Sequence, residues 1–175
     1  MNSALIVVDI QNDYFPGGAM ELVGSYKAAT VAASIKSEFK AKNFPVIMVQ
    51  HIAMSPTATF FLPGTEGVEI HESVKVVDGD YLVVKHFPNS FRETNLLEIL
   101  RERHITDLVI VGMMTHMCID TTVRAANDLG FKVTVYGNAC ATRDLTFERT
   151  VSAEDVQSAY LAALDGSFAE VKNWN

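Results

Sequence analysis

The sequence predicts an α/β fold in which a parallel sheet is covered by helices on both faces. Short, solidly apolar runs recur along the chain, as they do in strands that are buried on both faces. Longer amphipathic stretches with helical spacing separate these runs, which is the order of elements in βαβ units. With 175 residues, of which 49% are apolar, the chain is long enough for one packed core and too short for two. We therefore expect a single domain over residues 1–175.

Six strands are predicted from apolar runs. Ala4 to Val8 is the clearest, because it is an unbroken aliphatic run that ends at a carboxylate, Asp9. Four further runs have the length of buried strands, and a short run near the C-terminus predicts the sixth. These runs lie at 45–49, 81–84, 107–111, 131–136 and 169–171.

Four helices are predicted from apolar residues three and four positions apart. In residues 25–43, for example, Ala32, Ile35 and Phe39 share one face. Gly130 directly follows the third predicted helix, where glycine is a common stop. The other predicted helices lie at 94–103, 118–129 and 153–164.

Residues 52–79 lack a regular pattern and contain both proline and glycine. An irregular segment of this length inside a compact domain is typical of a functional lid or a binding loop. The sequence does not distinguish a lid over a site from an interface with a second copy of the chain.

Charge and cysteine content exclude several function classes. The net charge is −7 and there is no basic run, which argues against nucleic acid or an anionic membrane surface as a partner. Two cysteines, Cys118 and Cys140, do not make a disulfide framework. No apolar run approaches the length of a membrane span, and the first one is too short for a signal peptide. We expect a cytoplasmic protein that acts on a small-molecule substrate.

Three chemically active residues follow predicted strands. Asp9 ends the first strand, Lys85 ends the third, and Cys118 lies at the start of the helix after the fourth. In an open parallel sheet, ligands bind beyond the carboxyl ends of the strands. Taken singly, each residue has an ordinary structural explanation: a cap, a solvated lysine and a small buried cysteine. Taken together, an acid, a base and a thiol at one edge of the sheet predict a catalytic constellation.

These residue types suit acyl transfer. A helix start and a nearby ammonium favour the thiolate form of Cys118. Asp9 can take the thiol proton and later return it to a leaving amine. Backbone N–H groups around the turn can hold an oxyanion. The thiolate attacks a carbonyl, a thioester acyl-enzyme forms, and water releases it.

The same segments resemble the isochorismatase-like cysteine hydrolase family, in its amidohydrolase branch. The matching segments are ALIVVDIQND at 4–13, PGTEGVEI at 63–70, VKHFPNSF at 84–91, VGMMTHMC at 111–118 and TTVRAA at 121–126. The resemblance implies a Rossmann-like three-layer sandwich with a six-stranded parallel sheet, and Asp9, Lys85 and Cys118 as the catalytic triad. It also implies a cis peptide between Met113 and Met114, with the N–H groups of Met114 and Cys118 as the oxyanion hole. A homo-oligomer, either a dimer or a tetramer, is expected on the same ground.

Differences within the family narrow the class of substrate that this chain is expected to hydrolyse. Isochorismatases proper lack the nucleophilic cysteine, so Cys118 favours an amide, carbamoyl or lactam-type substrate. Nicotinamidases carry a metal site built on an Asp-x-His pair after the second strand, whereas this chain reads VQHIAM at 49–54. His51 alone does not make a metal site. We therefore expect no cofactor, no catalytic metal and no nicotinamidase activity.

Five residues are candidates for substrate binding. Phe15, Phe60 and Phe61 lie on or near the carboxyl-end loops and are predicted to wall an apolar or planar substrate. Packing under the long loop as core is an equal alternative for them. Asn89 and His116 are candidate polar contacts to the substrate. For His116, a role in supporting a neighbouring site residue is an equal alternative.

Two functional alternatives remain at this point. One is hydrolysis of another bond on the same triad, such as an ester, a cyclic imide or an isochorismate-like ether. The other is a non-catalytic, redox-responsive protein in which Cys118 is a sensor thiol. The presence of Asp9 and Lys85 argues against the second alternative, because a sensor needs neither. Arg143 follows the fifth strand and is expected near the same rim, while Cys140 is expected to be a buried bystander.

Overall fold

The computed structural model describes residues 2–175. Its eight strands are β1 (Ser3–Val8), β2 (Val46–His51), β3 (Tyr81–Lys85), β4 (Asp107–Met113), β5 (Lys132–Ala141), β6 (Leu145–Thr146), β7 (Thr150–Val151) and β8 (Glu170–Lys172). Its four α-helices are α1 (Ser25–Ala41), α2 (Leu96–Glu102), α3 (Asp120–Asp128) and α4 (Ala153–Leu164). Short 3₁₀ turns occur at Asn12–Tyr14, Glu66–Val68 and Glu72–Val74, and a π-helical turn occurs at Thr115–Ile119. None of these helices combines the length and apolar character that crossing a bilayer requires.

Six strands form one parallel sheet, which confirms the predicted α/β fold. The strand order is β3-β2-β1-β4-β5-β8, and every neighbouring pair is parallel. From β1 the chain first builds outward to one side through β2 and β3. It then returns to β4, beside β1, and builds outward to the other side. The order therefore reverses between β1 and β4, at the centre of the sheet.

Alternation along β1 explains the two cores on either side of the sheet. Leu5 and Val7 point to the face that α1 covers, where Ala32 and Ile35 are buried. Ile6 points to the opposite face, which α2, α3 and α4 cover. All three β1 side chains are fully buried, and each contributes roughly 1.5–3 kcal/mol of apolar burial. This packing confirms the prediction that helices cover both faces.

The structure departs from the sequence prediction at three places. Strand β5 extends to Ala141, five residues beyond its predicted end, because the chain continues through Gly137 with a shift in register against β4. The predicted helix at 118–129 begins instead with the π-helical turn, and α3 starts only at Asp120. A small antiparallel hairpin, β6–β7, was not predicted, since each of its strands is only two residues long.

The irregular segment at 52–79 packs against the carboxyl end of the sheet. The Asp13 carboxylate, buried after β1, accepts hydrogen bonds from the N–H of Phe61 at 2.6 Å and of Ala19 at 3.1 Å. Gly67 lies so close to Asp13 that a Cβ there would come within 2.1 Å of the carboxylate. The segment is therefore fastened over the edge of the sheet where the candidate residues lie.

Candidate active site

Topology places the candidate residues at the centre of the sheet. The reversal of strand order between β1 and β4 opens a crevice beyond their carboxyl ends, which is where ligands bind in sheets of this kind. Asp9 directly follows β1, and Cys118 lies in the turn that follows β4. Lys85 is the last residue of β3, two strands away from β1, and its long side chain reaches back across β2.

The three side chains meet as the sequence predicted. Lys85 Nζ lies 2.7 Å from Asp9 Oδ2 and 3.2 Å from Cys118 Sγ. Asp9 and Lys85 are fully buried, and Cys118 is 5% exposed. Neither oxygen of the buried Asp9 carboxylate has a hydrogen-bond partner among the described residues; Oδ2 forms the ion pair with Lys85, which leaves Oδ1. Since an unpartnered buried acceptor costs free energy, this oxygen is available for the proton of the neighbouring thiol.

Local backbone geometry fixes the positions of Asp9 and Cys118. Asp9 has a φ of 51°, in the left-handed region that non-glycine residues rarely adopt, and its N–H donates to the Val49 carbonyl at 3.1 Å. The peptide bond between Met113 and Met114 is cis, which confirms the expectation. The Met114 carbonyl then accepts the N–H groups of Met117 and Ile119, closing the π-helical turn around Cys118.

Helix α4 supports this turn from outside. Thr115 is fully buried, and its hydroxyl lies 2.6 Å from Gln157 Oε1 and 3.2 Å from the Ala141 carbonyl. Gln157 in turn donates to the carbonyls of Gly137 and Cys140. The turn that carries the nucleophile is thus tied both to α4 and to the irregular end of β5.

The electrostatic setting of Cys118 differs from the sequence prediction. Burial and the charge of Asp9 raise the pKa of the Cys118 thiol, and the positive charge of Lys85 offsets only part of that rise. As expected, the charge of Lys85 lowers the pKa of Cys118 and so favours the thiolate, but burial and Asp9 together have the larger effect. Burial of the sulfur and the charge of the neighbouring carboxylate together favour a protonated thiol at rest.

Lys85 remains charged despite its burial. Burial alone would lower the pKa of its ammonium, but the charges of Asp9 and Cys118 raise the pKa above its ordinary value. A cation is therefore held permanently between the acid and the thiol. Negative charge that forms on either one is stabilised without the ammonium having to move into the site.

His51 is a neighbour of this group that sequence reasoning did not include. Its Nδ1 lies 2.9 Å from Lys85 Nζ and 4.0 Å from Asp9 Oδ2. Burial, together with the charge of Lys85, lowers the pKa of His51 to about 4, so the ring is neutral at pH 7. The signal for its position was present in the strand pattern, since His51 ends β2 beside the end of β3.

Asp9, His51 and Cys118 also form a group of possible metal ligands. One donor atom from each lies within 4.8 Å of the others. From the sequence, His51 was the only candidate ligand in this region, and its approach to Asp9 and Cys118 was not predicted. However, Lys85 Nζ lies within 3.2 Å of one such atom of each residue, so an ammonium already provides the positive charge among them. That geometry favours an ammonium site over a metal site.

The structure brings two of the five predicted substrate-binding residues to the vicinity of the triad. Phe61 is buried, and its ring centroid lies 5.8 Å from that of His51. Phe60 is half-buried and packs on Phe61 at 4.9 Å. Both rings also contact the buried Tyr14, so they form one aromatic wall with it.

The other three candidates make most of their described contacts elsewhere. Phe15 stacks on His71 with 3.6 Å between ring centroids. Asn89 uses its side-chain oxygen to accept the N–H of Phe91, which caps its own turn. His116 Nδ1 lies 2.6 Å from the Thr142 hydroxyl. Their roles as substrate contacts stay predictions.

Arg143 is a cation at this rim without an anionic partner. Its Nε is buried and unpartnered, and its guanidinium forms no ion pair with any acidic residue in the described part of the chain. Burial lowers the pKa of His116 and the charge of Arg143 lowers it further. Burial, with the charges of Cys118 and Asp9, raises the pKa of Tyr14, and Arg143 acts against that rise. Arg143 directly follows Thr142, whose hydroxyl lies 2.6 Å from His116 Nδ1, so its backbone lies beside the turn that carries Cys118.

Known proteins resemble this chain along almost its whole length. The family model described as the isochorismatase domain matches residues 3–174. The chain is 50% identical over 173 residues to the isochorismatase family protein YddQ of Bacillus subtilis, covering 98% of this chain and 96% of the relative. A crystal structure of an isochorismatase hydrolase from Oleispira antarctica superimposes with a TM-score of 0.95 at 44% identity, covering 98% and 93% of the two chains. The structure of N-carbamoylsarcosine amidase from Thermoplasma acidophilum is similar at a TM-score of 0.83 and 25% identity, covering 99% and 96%.

Proposed function

The chain belongs to the isochorismatase family of hydrolases, and from that membership we propose that it is a cysteine hydrolase acting on a small amide, carbamoyl or lactam-type substrate. It cleaves a C–N bond through a thioester on Cys118. The observation that carries this proposal is the contact of one buried ammonium, Lys85, with both Asp9 at 2.7 Å and Cys118 at 3.2 Å. The likeness to an N-carbamoylsarcosine amidase is consistent with a C–N bond.

The first half of the reaction forms the acyl-enzyme. Asp9 takes the proton of the Cys118 thiol as the sulfur attacks the substrate carbonyl carbon, and a C–S bond forms. The electron pair of the carbonyl moves onto its oxygen, toward the N–H groups of Met114 and Cys118, which serve as the oxyanion hole. The C–N bond then breaks, and Asp9 returns its proton to the leaving nitrogen.

The second half releases the product. Asp9 takes a proton from water as that water attacks the thioester carbonyl. The C–S bond breaks, a carboxylic or carbamic acid leaves, and the proton on Asp9 returns to Cys118. Throughout, Lys85 stays charged and stabilises whichever neighbour carries the negative charge.

A redox-sensing role is less consistent with the site than hydrolysis is. Sensor cysteines are accessible and have a low thiol pKa. Cys118 is 5% exposed and burial raises its pKa, with Asp9 raising it further. Cys140 is buried, and its Sγ lies 3.5 Å from the Tyr136 carbonyl. Neither thiol has the setting that favours oxidation.

Arg143 indicates that the substrate carries a negative charge. A guanidinium with a buried, unpartnered Nε is a costly arrangement unless a ligand completes it. A carboxylate matches the fork of donors that arginine presents. We therefore include a carboxylate, placed some atoms away from the scissile amide, in the proposed substrate.

A substrate panel tests the proposed function. Small amides, N-carbamoyl amino acids, other ureido compounds and lactams are screened for release of ammonia or amine. Each is assayed with the parent protein and with Cys118→Ala, which removes the nucleophile and leaves the fold intact. We expect turnover of at least one compound by the parent and none by the variant. Hydrolysis that survives in Cys118→Ala would exclude the covalent mechanism, and no turnover of any compound would exclude this substrate class.

The role of Arg143 is tested with a matched pair of substrates. An N-carbamoyl amino acid is compared with its neutral methyl ester, using the parent, Arg143→Lys and Arg143→Ala. Loss of a charge-assisted hydrogen bond is expected to lower kcat/KM for the acid by about tenfold to 100-fold in Arg143→Ala, with the ester little changed. For the acid, the kcat/KM of Arg143→Lys is expected to lie between those of the parent and of Arg143→Ala. An equal loss on both substrates would show that Arg143 supports the fold and does not bind the substrate.

A further inference from the structure

The Lys85 ammonium has more acceptors around it than it has hydrogens. Four acceptors lie within hydrogen-bond distance of Nζ: Asp9 Oδ2 at 2.7 Å, His51 Nδ1 at 2.9 Å, the Phe87 carbonyl at 3.0 Å and Cys118 Sγ at 3.2 Å. An ammonium group carries only three hydrogens. At any moment one of the four acceptors is therefore not served. The distances alone do not identify it, because 3.2 Å is within hydrogen-bond range for the larger sulfur atom. A carboxylate is a stronger acceptor than a neutral thiol, so charge favours Asp9 while Cys118 is protonated.

Two of the four acceptors keep the same charge throughout hydrolysis. The Phe87 carbonyl and the His51 imidazole are neutral, whereas Asp9 and Cys118 exchange a negative charge when the thiol proton moves. If two ammonium hydrogens stay on the neutral pair, the third hydrogen alternates between Asp9 and Cys118. It bonds Asp9 while the thiol is protonated, and it bonds the sulfur once the proton has moved to Asp9.

We propose that His51 is a positioning residue that orients the Lys85 ammonium, so that one hydrogen is free to shift from Asp9 to Cys118 as the thiolate forms. This inference rests on the proposed cysteine hydrolase function and deepens it. In the step described, the thiol proton moves from Cys118 Sγ to Asp9, and one hydrogen bond of Lys85 moves from Asp9 to the sulfur. The positive charge stays on Lys85, and the negative charge moves from Asp9 to Cys118.

The backbone holds His51 in register with Lys85. His51 and Lys85 are paired partners in the β2–β3 ladder, so the two residues end neighbouring strands side by side. The Gln11 side chain binds the backbone of His51 at both ends, accepting its N–H at 2.8 Å and donating to its carbonyl at 2.9 Å. Gln11 is itself fully buried. The position of the ring therefore does not depend on a mobile loop.

The protonation state of His51 fits the same role. Charged or titratable groups around it are Lys85, Asp9, His86 and Cys118. Burial and the charge of Lys85 keep the ring neutral at pH 7. With Nδ1 accepting from the ammonium, the remaining ring proton lies on Nε2. A protonated His51 would instead present a donor to a donor and displace the ammonium.

Two substitutions separate positioning from packing. His51→Asn retains an acceptor close to the place of Nδ1, whereas His51→Leu has a side chain of similar reach and no acceptor. Both are made in a Cys140→Ser background, so that Cys118 is the only thiol. The probe is iodoacetamide, a small amide electrophile that needs no knowledge of the substrate. The rate of Cys118 alkylation is measured against pH by peptide mass spectrometry, and thermal melting reports whether each variant is folded.

We expect His51→Leu to slow alkylation at pH 7 by about tenfold to 100-fold and to raise the apparent pKa of Cys118, because the thiolate loses an oriented donor. His51→Asn is expected to stay within about threefold of the parent, and such a small change corresponds to less than 1 kcal/mol. Parental kinetics in His51→Leu, an equal loss in both variants, or no labelling of the parent would each overturn the proposal. These results do not depend on turnover of the substrate panel, so failure of the proposed function is distinguished from failure of this inference.

Discussion

Asp9 combines three features that one residue rarely shows together. It is fully buried, its backbone is in the left-handed region, and neither carboxylate oxygen has a hydrogen-bond partner among the described residues. Each feature costs free energy unless the surroundings compensate for it. The ion pair with Lys85 compensates for part of that cost. The rest of the cost is what the proposed role of Asp9 in proton transfer would account for.

Replacing Asp9 with asparagine is expected to lower the pKa of the Cys118 thiol and yet to slow hydrolysis. Because the charge of Asp9 raises the pKa of Cys118, Asp9→Asn lowers that pKa and increases the resting thiolate. Hydrolysis nevertheless falls by about 100-fold or more, since no group takes the proton and returns it to the leaving nitrogen. The thiolate is followed by its ultraviolet absorbance against pH, with Cys140→Ser as the background. An unchanged thiol pKa, or parental hydrolysis in Asp9→Asn, would contradict the assignment of Asp9 as the base.

His51 is expected to make the fold sensitive to acid. Its pKa lies near 4 in the folded protein against 6.5 for a free histidine. Between these values the unfolded chain binds a proton that the folded protein does not, so stability is full above pH 6.5 and falls as the pH drops toward 4. For His51 alone the loss in free energy of unfolding is about 3 kcal/mol.

Chemical denaturation of the parent and of His51→Asn at several pH values measures this contribution. His71 and His116 also have lowered pKa values, so part of the acid loss is common to both proteins. The difference between the two stability curves isolates His51, and we expect the curves to converge as the pH falls. Curves that run parallel across this range would contradict the buried, neutral state of His51.

At the level of elements, the close approach of β1 and β4 is what brings Asp9 and Cys118 together. Gly112 is paired with Val8 in the ladder and has a φ of 132°. A Cβ at this position would lie 2.0 Å from the Val8 carbonyl oxygen. The strand therefore needs glycine here for two reasons, its backbone angle and the lack of space.

Gly112→Ala is expected to destabilise the fold more than a glycine substitution that meets no neighbour. Gly130, which ends α3, also has a positive φ, but nothing lies within 4 Å of an added Cβ. Gly130→Ala should cost about 1–2 kcal/mol from backbone strain alone, and Gly112→Ala about 3 kcal/mol or more because a steric clash is added. Urea denaturation of both variants measures the difference. Equal losses would mean that β1 and β4 are not as close as the structure has them.

The elements that the sequence predicted well are those with an unambiguous pattern. Helix α4 has the predicted bounds, and β1 differs from its prediction by one residue, because unbroken apolar runs and regular helical spacing have few competing interpretations. The full length of β5 could not be predicted, since Gly137 and Asn138 are typical turn residues, and the strand continues because Cys140 and Ala141 pair with β4 again beyond the register shift. Tertiary contacts, which a single sequence does not contain, decide such cases.

The candidate site was predictable to a similar degree. Asp9, Lys85 and Cys118 could be selected because parallel strands bring their carboxyl ends to one edge. The raised pKa of Cys118 and the contact of His51 with Lys85 could not, because both depend on burial and on distances across strands. The pocket residues depend on the irregular segment at 52–79, whose path is set by buried polar ties such as the one from Asp13 to Phe61.

For the whole molecule, the order of strands explains why this fold places chemistry at the centre of the sheet. The two halves build outward from β1 and β4, so the crevice between them is lined from both sides. Phe61, from the irregular segment at 52–79, packs near His51 beside that crevice. A homo-oligomer stays a prediction for this molecule. Light scattering measures the mass directly, and a monomer at all concentrations would contradict that prediction.

The proposed mechanism requires a covalent acyl-enzyme on Cys118, which mass spectrometry detects. A compound that the protein hydrolyses is mixed with it, quenched in acid at short times, and the peptide containing Cys118 is weighed. We expect that peptide to gain the mass of the acyl group during turnover, and hydroxylamine to remove it, as a thioester requires. Steady hydrolysis with an unmodified Cys118 at every time, accompanied by full activity in Cys118→Ala, would contradict the mechanism.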